Sequence, residues 1–385
     1  LVFSLSACSD IEIKSSPDAA SSAPSSTTAS SVPSGTVEDT VIEITLNGDS
    51  VSCNGRGVSV SGSTVRITSA GTYSVAGTLN NGQIIINTGE DALNVTLTLN
   101  GADITCLSDS AILVEQAKKL HLVLADGTDN TITSGDQLSP ADDTVSGAAI
   151  YSLDDLKISG GGKLTVNGFI NNGIASKDDI KIAGGNLVVT ASNNGIRASE
   201  SVTIETGTLS ISALNDGIKS VSTKKPGKGY ILIEDGNITI SSTGDGISAA
   251  SDLTVNGGRL QITTTGNTAI TSSKALKGVS VTINNGEFLL DTTGKAIFGT
   301  QSVVINNGRI IASAKDDGIS SDQDVTVNGG ILEILSYNDG LKGGVKGGTS
   351  GTVTIAGGSL SVSAAVDIID AKGQVTISGG DMIGA

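Results

Sequence analysis

The chain has 385 residues, 39 acidic and 23 basic, and its net charge of −16 repels polyanionic nucleic acid, so no nucleic-acid partner is expected. With 51 glycines, no tryptophan, 2% aromatic and 16% charged residues, it has the composition of short strands and turns, and long helices find no support. One histidine and three scattered cysteines offer no ligand set for zinc or copper.

The first eight residues, Leu-Val-Phe-Ser-Leu-Ser-Ala-Cys, read as the tail of an apolar signal segment, and Leu5-Ser6-Ala7-Cys8 resembles a bacterial lipobox, whose cysteine is lipidated after cleavage. The expectation is an extracellular protein anchored to the bacterial cell surface through Cys8. No apolar run of 18 residues follows, so the N-terminal lipid is the only membrane contact expected. The missing Met and charged leader imply a longer precursor. Residues 9–36 are mostly Ser, Thr, Ala and Pro, with too little apolar surface to offset ordering entropy, and should form a flexible tether of about 30 Å.

From residue 37 to 385 the chain repeats. Alternating apolar pairs recur at Leu156/Ile158, Ile180/Ile182, Val202/Ile204, Ile231/Ile233, Leu253/Val255, Val281/Ile283, Val303/Ile305, Val325/Val327, Val353/Ile355 and Val375/Ile377. Their spacing is 22 residues wherever no insertion intervenes. Such a period means stacked units, none able to bury its apolar face alone. Each unit holds three short pieces of period two, as in Val325-Thr-Val327, Leu332-Glu-Ile334 and Gly340-Leu341, with Gly-Gly corners such as Gly329-Gly330 where positive φ is needed. Three strands and three corners per turn describe an all-β parallel β-helix. A β-sandwich would need hairpins and antiparallel alternation, which the fixed phase opposes. The triplets Val65/Val75/Ile85, Val95/Ile104/Ile112 and Leu120/Ile132/Ile150 extend the pattern backwards, giving about 13 coils of about 22 residues and a rod about 60 Å long. The last residues fall in a second strand without a polar cap, which implies that the protein continues.

The third strand is entered through an amide or acidic turn: Asn193-Asn194-Gly195, Asn215-Asp216-Gly217, Gly244-Asp245-Gly246, Asp316-Asp317-Gly318 and Asn338-Asp339-Gly340. Stacking sets Asp216 beside Asp245 and Asp317 beside Asp339, with Asp367 next. Two carboxylates about 5 Å apart at an effective dielectric near 20 repel by about 3 kcal/mol, and Ca²⁺, which takes six to eight oxygen ligands, would offset that. A second acidic row contains Asp154-Asp155 and Asp178-Asp179, followed by Asp252 and Asp324, so Asp155 and Asp179 are further candidate ligands. The alternative is that these residues only form Asx turns facing water.

Three insertions, 220–229, 272–278 and 343–350, are expected at the corner between a third strand and the next first strand. They carry Lys224, Lys225, Lys228, Lys274, Lys277 and Lys346, with Lys219 and Lys342 just before them. A lysine lip beside the acidic turns suits an anionic polymer, with Lys219, Lys224, Lys225, Lys342, Arg197 and Tyr337 as contacts. Lysines kept there for solubility and charge neutralisation are the alternative. His121 is expected to face solvent. Cys53 and Cys106 fall about two coils apart, beyond disulfide reach, and are expected to be free thiols.

The stretches Gly71-Thr-Tyr-Ser-Val-Ala-Gly77, Gly82-Gln-Ile-Ile-Ile86, Leu97-Thr-Leu-Asn-Gly101, Gly127-Thr-Asp-Asn130, Asn215-Asp-Gly-Ile218 and Lys224-Lys-Pro-Gly-Lys-Gly-Tyr230 resemble the bacterial carbohydrate-binding domain-containing lipoproteins, over residues 41–385. The resemblance implies a right-handed β-helix similar to polysaccharide lyases, bound Ca²⁺, and binding of cellulose and acidic pectic polymers without catalysis. Thr268 and Lys295 replace the turn Asp in two coils and interrupt any calcium row. Two rival functions remain. One is a pectate-lyase-like enzyme using Ca²⁺, with Arg197, Lys219 or Lys342 as the base. The other is a structural adhesin. An ice-binding face is excluded because the outward first-strand row mixes Lys157, Lys181, Thr203, Leu232, Thr254, Thr282 and Val304.

Overall fold

In each coil three short strands alternate inward aliphatic and outward polar residues, and parallel pairing lays every strand on its equivalent one coil away. The first-strand column runs Leu156, Ile180, Val202, Ile231, Leu253, Val281, Val303, Val325, Val353 and Val375, each paired to the next. Past the first turn, each strand therefore finds its hydrogen-bonding partners in neighbouring coils. A computed structural model describes residues 40–89, 93–138, 147–266, 272–345, 348 and 350–385, and no helix occurs among them. The result is a right-handed parallel β-helix of about 12 turns, one fewer than expected. Cys8, the whole of the expected tether 9–36, Thr268 and Lys346 lie outside the described residues.

The core is the tube interior. Up to Val353/Ile355 the inward pairs are almost wholly excluded from water, for example Ile218, Ile231, Ile238 and Ile247 at 0% exposure, while Val375 and Ile377 are exposed. Each such side chain contributes about 2 kcal/mol by burial, but only because the coils above and below close the tube.

The corner after each first strand needs glycine for two reasons. Gly330 has φ +97, and a Cβ there would stand 2.7 Å from the Gly308 carbonyl oxygen of the coil before. Asparagines stack two residues before this glycine column: the Asn284 amide donates to Asn256 Oδ1 at 2.7 Å, Asn306 to Asn284 at 2.7 Å and Asn328 to Asn306 at 2.8 Å.

Two expectations about phase are corrected. Near the N-terminus the first turn is closed by antiparallel hairpins, Ile42–Gly48 with Val51–Cys53 and Val58–Ser61 with Thr64–Ile67. Val65 pairs with Ile84 and so belongs to the third-strand column, whereas Val75 pairs with Leu99 in the first. The triplet Val65/Val75/Ile85 is therefore not one coil, and Ile84 rather than Ile85 is the inward partner of Ile112. The second correction concerns the middle insertion. Leu276 and Lys277 pair with Ile247 and Ser248, so they are a third strand, and the extra residues precede that strand instead of following it. Only the insertions at 220–229 and 343–350 share the expected corner.

Cys53 and Cys106 are both free, the second buried. His121 is half-buried rather than solvent-facing, with Nε2 2.7 Å from Ser159 Oγ. Burial first, then the charges of Lys157 and Lys119, hold its pKa below the ordinary value.

Candidate functional site

The turn before the third strand is tight because Gly217 lies against the next coil. A Cβ there would be 2.4 Å from Ile240 Cγ2 and 2.6 Å from the Gly246 carbonyl oxygen. This close approach forces the preceding side chain to lie along the stack. The column reads Asn172, Asn194, Asp216, Asp245, Lys274, Lys295, Asp317, Asp339 and Asp367.

Each acid or amide in it caps the backbone of the next coil. The Asp245 N–H donates to Asp216 Oδ1 at 2.7 Å, the Lys274 N–H to Asp245 Oδ1 at 2.8 Å and the Asp367 N–H to Asp339 Oδ1 at 3.3 Å. Asn194 extends the device without charge, its side-chain oxygen accepting the Asp216 N–H at 3.3 Å.

The second oxygen of each of these carboxylates meets an ammonium. Lys219 lies 2.7 Å from Asp216 Oδ2, Lys277 2.9 Å from Asp245 Oδ2 and Lys342 2.7 Å from Asp339 Oδ2. Lys295 pairs with Asp317 Oδ2, while Asp317 Oδ1 accepts the Asn338 amide at 2.6 Å. Asp317 is 0% exposed and Asp339 3%. Around Lys342, burial disfavours the ammonium, but the hydrogen bond to Asp339 and the charges of Asp317 and Asp339 outweigh it and raise its pKa.

Asp155 and Asp179 are adjacent in the first-strand column, as expected, but Ser201 and Tyr230 separate them from Asp252. Asp155 lies 3.4 Å from Lys119, and Asp179 pairs with Lys228. The loop 221–229 is bound back onto Glu200 by Lys225 and by Lys228, the latter at 2.9 Å. Among the described residues, no three Asp, Glu, His or Cys side chains converge where a metal ion could sit. The expected ligands Asp216, Asp245, Asp317, Asp339, Asp155 and Asp179 are already engaged by N–H groups or ammoniums, and as arranged they do not fit a calcium shell.

Of the expected glycan contacts, Lys219, Lys225 and Lys342 are thus held in ion pairs. Among the described residues Arg197 meets no carboxylate, only Ser199 Oγ at 3.4 Å, and Lys224 is exposed. Tyr337 is 55% exposed, with the Lys315 ammonium 4.1 Å from its ring centroid.

A site not anticipated from the sequence lies on the outward face of the second strands. A groove of about 750 Å³ crosses Arg259–Thr264, Glu287–Thr292, Arg309–Ala314, Ile331–Ser336 and Ser359–Ala364. Leu289, Ile311, Ile331 and Leu335 line it together with Thr263, Asp291, Ser313, Glu333 and Ser361. Leu289, Ile331 and Leu335 are 44%, 47% and 48% exposed, large for aliphatic side chains on a sheet. The readable signal is the outward position between inward residues, which is Thr239 and Gln261 in two coils and then Leu289 and Ile311 in the next two.

The family model for carbohydrate-binding domain-containing proteins matches residues 61–314 and 293–383. A carbohydrate-binding domain-containing protein of Acetivibrio thermocellus is 39% identical over 156 residues, covering 40% of this chain and 54% of the relative, so the chain spans about half of that relative's length. The solved structure of the polysaccharide lyase-like protein from C. thermocellum, a gadolinium derivative, superposes with a TM-score of 0.55 at 38% identity over 59% of this chain and 92% of that one.

Proposed function

The chain belongs to the carbohydrate-binding domain-containing protein family, and from that premise we propose that it is a non-catalytic polysaccharide-binding rod whose groove on the second-strand face holds the glycan. The observation that carries this is the pairing of an aliphatic floor, Leu289, Ile311, Ile331 and Leu335, with a rim of hydroxyl and carboxylate oxygens. A pyranose presents C–H faces and equatorial hydroxyls, and these two surfaces answer them in turn. Successive coils advance about 4.8 Å, close to the length of one extended sugar unit, so neighbouring sugars meet equivalent positions. Asp291 favours a neutral, cellulosic chain over a polyuronate by charge, whereas Glu333 is paired with Arg309 at 2.7 Å.

The acidic-glycan reading rests on a different observation, that among the described residues no carboxylate pairs with Arg197 or Lys224. The lyase reading is weakened because a general base must be unprotonated, and Lys342 is held protonated. Surface anchoring through Cys8 belongs to the same proposal, since a tethered rod would hold a polymer against the cell. Affinity electrophoresis of the full chain in soluble β-glucan and in polygalacturonate tests the reading. Retardation by the glucan, lost in Leu335→Asp, is expected; retardation by polygalacturonate alone, lost in Arg197→Ala, would replace the groove with the basic edge. Release of an unsaturated uronide, read by ultraviolet absorbance, would make the protein a lyase.

A further inference from the structure

We infer that lysine ammoniums, rather than divalent cations, are the resident counter-charges of the acidic turn column, so that this corner of the β-helix needs no metal. The column from Asp216 to Asp339 contains the four carboxylates Asp216, Asp245, Asp317 and Asp339. Four ammoniums, Lys219, Lys277, Lys295 and Lys342, are paired with them. Each of the four carboxylates thus has an ammonium against it, within a chain of net charge −16. The two rungs that lack an acid carry Lys274 and Lys295, so the column itself supplies cations where a row of acids would otherwise continue.

The division of labour within each carboxylate sharpens the point. At Asp216 and Asp245, Oδ1 takes the next coil's backbone N–H and Oδ2 takes an ammonium. Asp339 repeats the pattern with Asp367 and Lys342. A calcium ion would have to displace both kinds of donor, leaving a nearly buried N–H unmet and an ammonium beside a doubly charged ion. The lysines come from three places. Lys219 and Lys342 stand three residues after their own Asp, Lys277 comes from the coil after Asp245, and Lys295 from the coil before Asp317. A cation requirement fixed at one spacing is thus met by residues at several, which is how compensation looks when charge balance rather than a ligand geometry is being satisfied.

The test is thermal melting of the full chain in EGTA and in millimolar Ca²⁺, for wild type, Asp216→Asn/Asp245→Asn and Lys219→Met/Lys277→Met. Any shift that Ca²⁺ produces in wild type is expected to be the same in the Asp variant, because those carboxylates do not take the ion. The Lys variant is expected to melt several degrees lower in EGTA, since it strands two nearly buried carboxylates. Adding the Asp changes to the Lys changes is expected to recover most of that loss, which also guards against a variant that simply folds poorly. Loss of the wild-type calcium shift in the Asp variant would overturn the inference, and so would a Lys variant that melts like wild type in EGTA.

Discussion

The Lys228 ammonium lies 2.9 Å from Glu200 Oε2 and also pairs with Asp179, so one side chain fastens the loop 221–229 to two preceding coils. Lys228→Ala is expected to cost about 1–2 kcal/mol and to expose the loop to limited proteolysis while the remaining coils stay protected. Peptide mapping of the first cleavage products checks it.

The same contact makes a pH prediction. Burial raises the Glu200 carboxyl's pKa, but hydrogen bonds from Lys225 and Lys228 outweigh it and hold the value below the ordinary one. A depressed folded pKa contributes stability that is present above the unfolded value and lost as pH falls through the folded one. The melting temperature of wild type is therefore expected to fall in acid by more than that of Glu200→Gln.

Asp178 has the opposite sign. Burial first, then the charges of Glu200, Asp155 and Asp154, raise its pKa despite Lys225. Asp178→Asn is expected to raise the melting temperature modestly at neutral pH, and the gain should vanish as pH falls and the wild-type carboxyl takes up its proton.

Gly330→Ala meets both a positive φ and a carbonyl oxygen 2.7 Å from the new Cβ. A cost of about 2 kcal/mol is expected, read by denaturant or thermal unfolding. Gly62, with φ +61 but nothing within 4 Å, isolates the backbone part of that cost.

In the groove, Leu289→Asp and Leu335→Asp are expected to weaken glycan binding at least about tenfold and to leave stability within about 0.5 kcal/mol, because both side chains already face water. Isothermal titration alongside melting separates the two effects. For the anchor, Cys8→Ala in the precursor is expected to abolish incorporation of labelled fatty acid.

Much of the corner chemistry was legible in the chain. Asp216 with Lys219, and Asp339 with Lys342, stand three residues apart around a Gly-aliphatic step, and in-register stacking of Asp216 on Asp245 follows from the repeat. The partner of Asp245 was not legible. Thr268-Ala269-Ile270 and Lys274-Ala275-Leu276 carry the same polar–alanine–aliphatic pattern, and only hydrogen bonding of Leu276 to the Ile247 strand selects the second. The groove was hidden for a related reason. Leu289, Ile311 and the Ile331/Leu335 pair come from three successive coils, and Ile331 and Leu335 flank the position that Leu289 and Ile311 share, so their meeting depends on the lateral register of those coils.

The sequence by itself determined the repeat, the three-strand coil and the places where only glycine fits, because each follows from a local alternation or from a turn that side chains would block. The tertiary structure decided which ammonium meets which carboxylate, where the middle insertion belongs and where an apolar groove opens on the surface. Those are contacts between coils, and their geometry is set by cross-coil hydrogen bonding, which a single repeat does not contain.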